Sequence, residues 1–223
     1  MSEFRQIECE FFEGNDYPLT AWMDAGTIRR AEPLALIQAW RSEPEADWRP
    51  GKVRLAWCLS GLLVWADLED DDLVIRENRF NAMIFHSTDV FEIFIRPSNQ
   101  DAYYEFHVSP ANQRMQLRIP SAEKFAQVRR QGIIPPDWLV RELRFDSRVW
   151  ADPRSRRWRI GALIPFSGVE EVGPTPNWLV SFARYDYSRH RGQPVLSSTS
   201  SHPVVDFHRQ TEWLRLIFRG RES

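Results

Sequence analysis

The sequence predicts an all-β protein: an antiparallel β-sandwich of jelly-roll or immunoglobulin-like type, with a short helical lead-in and a peripheral insertion. Three observations predict it. Apolar and polar residues alternate with period two in at least eight segments, the spacing of a strand with two unlike faces. Turn residues separate these segments at short intervals, as hairpins require. Long stretches of helical period are scarce, so the strands have one economical way to bury their apolar faces, which is sheet against sheet.

Taken in order, residues 1–50 form an irregular lead-in, with a helix-like stretch from Leu34 to Trp40 after Glu32-Pro33, a position where proline suits a helix start. From Val53 the period becomes two, and Val53, Leu55, Trp57 and Leu59 alternate with Arg54, Ala56, Cys58 and Ser60. Gly61 permits a tight turn into Leu62–Leu68, a strand apolar on both faces, which the acidic turn Glu69-Asp70-Asp71-Asp72 ends. Phe91, Ile93 and Ile95 then alternate with Glu92, Phe94 and Arg96, and Tyr104, Phe106 and Val108 with Tyr103, Glu105 and His107. Met115, Leu117 and Ile119 alternate with Gln116 and Arg118. Paired in order, these strands put Glu92, Glu105, His107, Gln116 and Arg118 on one face as a polar patch.

Residues 121–150 interrupt the alternation. Ser121-Ala122-Glu123 followed by Phe125, Val128 and Arg129 predicts a short helix, and Pro135-Pro136 a loop, so this stretch is expected at the periphery. Strands return at Trp158–Ile164, Trp178–Arg184 and Trp213–Phe218, with a serine-rich run at 197–201. The chain thus reads as one domain over 1–223, its core at 51–220. Trp57, Trp65, Trp158 and Trp213 sit on strand alternations and belong to the core. Trp22, Trp40, Trp48 and Trp138 lie in irregular segments, where a ring serves as a packing anchor or a ligand platform.

Composition narrows the partners. With 43% hydrophobic, 13% aromatic and 27% charged residues the chain is too apolar for a disordered one. A net charge of -2 supplies no field for phosphate backbones, so nucleic acid is not expected as a partner. Apolar runs such as Leu62–Trp65 fall far short of the roughly 20 residues of a membrane helix. Met1–Gln6 has neither a basic nor an apolar leader region, which points to the cytoplasm, or to the periplasm or exterior if a leader has been removed. Cys9 and Cys58 read as free buried thiols, and the domain as a monomer or weak homodimer.

Six blocks in order carry a resemblance: Leu62–Asp70, Asp89–Ile95, Tyr104–Val108, Trp158–Phe166, Ser181–Arg184, and the closing Phe207-His208-Arg209 with Trp213–Leu216. Over residues 50–218 the chain resembles the family 9 carbohydrate-binding modules. The resemblance implies a β-sandwich related to the DOMON group of sugar- and haem-binding domains, a saccharide or polyol as partner, and no catalytic residues, as in accessory domains of polysaccharide catabolism. It places the family's binding glutamate on Glu92 and its arginine on His107. The first of two ring-clamping tryptophans falls near Phe85-His86 and the second near Ser198, in a run without aromatics, so either sugar binding is lost or Phe85, Tyr185 or Tyr187 replaces the clamp.

The expected ligand site thus combines Glu92, His107, Gln116 and Arg118 with a ring from Phe85, Tyr103 or Tyr187, together with His86 and Arg184. A carboxylate accepts sugar hydroxyls, an imidazole or guanidinium donates to them, and a ring stacks on the C–H face. Asp70, Asp71 and Asp72 offer hard oxygen ligands to a structural calcium, which the resemblance also implies, or else form a solvated acidic turn. Glu92 and Glu105 form the one carboxylate pair, but no nucleophile or metal motif accompanies them, so a non-enzyme is expected. A haem-binding redox module with ligands among Met83, His86, His107 and Met115 stands as an alternative, as does a sandwich that has lost sugar binding and serves protein interaction.

Overall fold

The computed structural model describes residues 4–13, 28, 30–152, 154–169 and 177–220; Trp22 lies outside them. Among the described residues twelve strands build two sheets. The first contains β5 (Val90–Pro97), β6 (Tyr103–Val108), β7 (Arg114–Ile119), β10 (Trp178–Asp186), β11 (Val195–Ser198) and β12 (Leu214–Phe218), in the order β7-β6-β5-β10, with β12 and β11 pairing opposite ends of β10. The second contains β2 (Leu34–Ala35), β3 (Gly51–Cys58), β4 (Gly61–Glu69), β8 (Asp146–Asp152) and β9 (Arg157–Pro165). β1 (Gln6–Phe11) joins them: Gln6 to Cys9 pair in parallel with β12, and Glu10 and Phe11 with β3.

The alternation explains the main core. Phe91, Ile93, Ile95, Tyr104, Phe106 and Phe182 from the first sheet meet Val53, Leu55, Val64, Ala66, Ile160 and Ile164 from the second. Burying each of these larger apolar side chains contributes about 1.5–3 kcal/mol. The β3–β4 turn needs Gly61, because a Cβ there would run into the Ile164 carbonyl on β9. Trp158 and Trp213 are buried as expected, whereas Trp57 and Trp65 are half-exposed, one donating its indole N–H to the Arg219 carbonyl at 2.8 Å and the other lying under Arg54. Trp138 is a packed anchor and Trp40 packs on Phe207.

Two expectations are corrected. The stretch 34–38 is extended, not helical. Leu34, Leu36 and Gln38 point in while Ala35 and Ile37 point out, and the Ile37 and Ser198 backbones exchange hydrogen bonds at 2.9 Å. Period two outweighs the proline signal because an unpaired strand end is there to receive it. Residues 121–139, expected at the periphery, instead cover the outer face of the first sheet. Helix α1 (Ala122–Gln131) starts where Ser121 Oγ accepts the Lys124 N–H at 3.1 Å and stops at Gly132, whose φ of 74° is left-handed. Its Val128, with Ile84, Trp138, Phe207 and Trp213, packs on Phe94, Met115, Leu117 and Leu179 as a second core. Among the described residues no helix is long and apolar enough to cross a membrane.

Candidate functional site

The outer face of the first sheet is where the polar patch was expected, and the covering layer makes it a cavity of about 500 Å³. Its floor is Glu92 on β5 and Glu105 on β6, and His107 on β6 is buried against both. Glu92 and His107 are direct cross-strand partners, and Glu105 precedes His107 by two residues, so period two puts all three on one face. All are buried. His107 Nε2 lies 2.5 Å from Glu105 Oε1 and 3.5 Å from Glu92 Oε1.

Electrostatics assigns the charges. Burial works against the imidazolium, but Glu92 and Glu105 outweigh it and raise the pKa of His107. Burial also acts on Glu105, where the charge and hydrogen bond of His107 prevail and hold the carboxyl below its ordinary range. Glu92 has no such bond, and burial pushes it up to about 8 despite His107, with Glu105 adding to the rise. The resting site is therefore an ion pair, Glu105 with His107, beside a neutral Glu92. Glu105 Oε2 and His107 Nδ1 are buried without a hydrogen-bond partner.

Rings line the rest. Phe85 meets His107 edge-on at 5.8 Å and Tyr185 at 6.1 Å, and Tyr185 meets Phe207 at 5.9 Å. From α1, Phe125 stacks on His208, which burial holds near pKa 4 and whose Nδ1 bonds the Tyr103 hydroxyl at 2.8 Å. Across the mouth Arg129 of α1 grips Asp206 at 2.9 Å. Sheet face, helix and the segment around 207 thus close one polar-floored, aromatic-walled space, the usual makeup of a small-molecule site.

Of the residues expected in the site, Glu92, Phe85 and His86 line the cavity, and His107 lies buried behind the lining, paired with Glu105. Tyr103 stands behind His208, and Tyr187 braces the site by donating its hydroxyl to the Phe85 carbonyl at 2.8 Å. Gln116 and Arg118 do not join them. They pair across the ladder with Phe106 and Tyr104 and so point to the opposite face, while Met115 and Leu117 accompany His107 and Glu105. Gln116 is instead a brace for the chain at 140–144, donating to the Val140 carbonyl at 2.9 Å and to that of Glu142, and accepting from Arg144 N at 3.0 Å. Arg184 also faces away from the cavity, fully buried, with Asp70 at 3.0 Å and Asp186 at 3.2 Å. Glu105, placed in the polar patch by the sequence, also lines the cavity, and Phe125, Arg129, Asp206, Phe207 and His208 join it. The apolar spacing of Phe125 and Val128 and the Phe207-His208 block were the signals the sequence held for these last five.

The proposed calcium turn is not a common site. Asp70 turns to Arg184, Asp71 to Arg49 at 2.5 Å, and Asp72 accepts from Arg189 N at 2.8 Å. Consecutive residues in a turn diverge, so sequence adjacency does not converge their oxygens. Among the described residues two groups bring three metal-type ligand atoms within 4.8 Å: Glu92, Glu105 and His107, and Asp70, Asp89 and Asp186. Each already holds a cation of the chain itself, the imidazolium of His107 or the guanidinium of Arg184.

No protein-family model matches the sequence, and no curated protein does either. Solved structures do match. A proposed carbohydrate-binding protein of Bacteroides uniformis aligns over 97% of this chain and 100% of its own, with a TM-score of 0.68 at 14% identity. A family 9 carbohydrate-binding module of Caldicellulosiruptor kristjanssonii, in complex with cellotriose, aligns over 98% of this chain and 95% of its own, with a TM-score of 0.66 at 14% identity. This chain has the fold of a family 9 carbohydrate-binding module. The glucose complex of a module of that family and organism agrees, at a TM-score of 0.64, 14% identity and coverage of 98% and 97%. On this carbohydrate-binding-module fold, Glu92 and Glu105 arise from paired central strands, and the helical layer of residues 121–139 roofs them.

Proposed function

We propose that the cavity binds a saccharide or similar polyol without transforming it. The observation that carries this reading is the buried floor. Glu105 Oε2 is an acceptor with no partner, and it lies beneath walls of flat rings. A hydroxyl-rich ring satisfies both features at once, its O–H groups donating to Glu105 and Glu92 and its C–H face lying on Phe85, Tyr185 or Phe207. The solved structures that share the fold, two of them complexes with glucose and cellotriose, favour the same ligand class.

Isothermal titration with glucose, cellobiose, cellotriose and their amino-sugar counterparts tests it. Saturable binding of at least one sugar is expected, weakened about tenfold or more by Glu105→Gln and by Phe85→Ala, since each removes one contact of 1.5 kcal/mol or so. Absence of binding by every sugar at millimolar concentration overturns the reading.

A further inference from the structure

Three carboxyl groups face the cavity. Glu92 and Glu105 face it from β5 and β6, and Asp206 from the segment after β11. Against these stand His107 on β6, which is committed to Glu105, and Arg129 on α1, which is committed to Asp206. The remaining titratable groups bring no fixed charge close to Glu92. Burial holds His208 neutral, its effect opposed by Glu105 and Asp206, and its Nδ1 is taken by the hydroxyl of Tyr103. Tyr185 on β10 is neutral because burial raises its hydroxyl far above the ordinary range, and His86 is exposed at the rim. Among the described residues Glu92 makes no hydrogen bond, and its one ionic neighbour is His107 Nε2 at 3.5 Å. One buried carboxyl is thus left over, aimed into a space walled by Phe85, Tyr185 and Phe207.

We propose that this cavity selects a cationic sugar, a saccharide bearing a protonated primary amine, whose ammonium seats against Glu92 and within reach of Glu105 Oε2. The inference rests on the saccharide reading of the same site. An ammonium carries three donors and no acceptor, which suits Glu105 Oε2 and an ionised Glu92 better than a hydroxyl does, and the faces of the surrounding rings attract a cation. A charge-assisted hydrogen bond exceeds a neutral one, and in a buried site the margin grows. A neutral sugar leaves Glu92 protonated as it is in the empty cavity. An ammonium beside it favours the ionised carboxylate, so binding releases a proton from Glu92 near neutral pH.

Three β-1,4-linked disaccharides that differ at C2 decide the matter: the glucosamine dimer, its N-acetylated form and cellobiose, titrated calorimetrically into the wild-type protein at pH 6.5. The glucosamine dimer is expected to bind at least tenfold more tightly than the other two, and its heat to change with the ionisation enthalpy of the buffer, reporting proton release. Cellobiose should show no buffer dependence. Glu92→Gln is expected to weaken binding of the glucosamine dimer at least tenfold more than binding of cellobiose and to remove the buffer dependence of its heat, with unfolding curves confirming that the variant is folded. Equal or tighter binding of cellobiose or of the acetylated dimer overturns the cationic preference and leaves the saccharide reading standing. Binding of none of the three overturns both. The wild-type comparison and the proton count stand without the variant.

Discussion

Replacing Glu92 by glutamine should stabilise the protein, and by an amount that grows with pH. Glu92 is 2% exposed and its carboxyl is pushed from an ordinary 4.5 to about 8, first by burial. A group whose pKa is raised on folding contributes stability that is fully present below its unfolded value and is lost as pH rises through the folded one. Between pH 4.5 and 8 the native chain therefore keeps a proton that the unfolded chain has given up, at about 1.4 kcal/mol per pH unit. At pH 7 that is about 3 kcal/mol lost to Glu92, a loss glutamine escapes because it cannot ionise. Any fixed difference between amide and neutral acid does not vary with pH and cancels in the comparison. Urea unfolding of both proteins, followed by tryptophan fluorescence at pH 5 and pH 7.5, measures it directly. The stability gap should widen in favour of Glu92→Gln by about 3 kcal/mol. A gap that changes by less than about 0.5 kcal/mol would show that Glu92 is ionised in the native protein, and the charge assignment of the cavity floor would have to be redrawn.

Two further outcomes follow from residues outside the cavity. Gln116→Leu strands the Glu142 carbonyl and the Gln116-bonded Arg144 N–H, while the Val140 carbonyl keeps Asn81 Nδ2 at 2.7 Å, so chemical denaturation should show a loss of about 2–4 kcal/mol while saccharide affinity stays within about threefold; a large drop in affinity in the folded variant would return Gln116 to the site. Arg184→Met removes the one cation among Asp70, Asp89 and Asp186, all of them at least nine-tenths buried. It should cost about 3–5 kcal/mol at neutral pH, with part of the loss recovered in mild acid as the carboxyls take up protons; a pH-independent loss would refute the role assigned to the guanidinium.

The sandwich was legible because period two survives in β3 to β6, β9, β10 and β12, and the same period correctly put Glu92, Glu105 and His107 together. It misled at β7. There Gln116 and Arg118 looked as if they should join the other polar residues, yet the face they were assigned to is largely apolar and roofed, and it takes Met115, Leu117 and Ile119. Polarity alone does not orient a strand when both of its faces are covered, one by the partner sheet and the other by a helix. Nor does strand alternation announce a roof: Phe125, Arg129 and Phe207 reach the site from segments far apart in the chain, and only tertiary packing converges them. Residues 34–38 show the reverse case, in which a proline and a run of good helix formers outweighed an alternation of five residues that was the true signal.

The position of β1 also bears on how the chain reaches this state. Gln6 pairs with Arg215 and Phe11 with Trp57, so the strand that sews the two sheets together finds four of its six partners more than 200 residues away along the chain. Such a contact closes a very large loop, and its entropic cost falls due before any of the reward arrives. During synthesis the second sheet has all its own strands once β9 emerges, whereas the edge that β12 completes stays open until residue 218 is free. Closure of the sandwich is then a late event of biosynthesis, and a nascent chain halted before Leu214 should remain protease-sensitive at β1 while its β3–β4–β9 region is already protected.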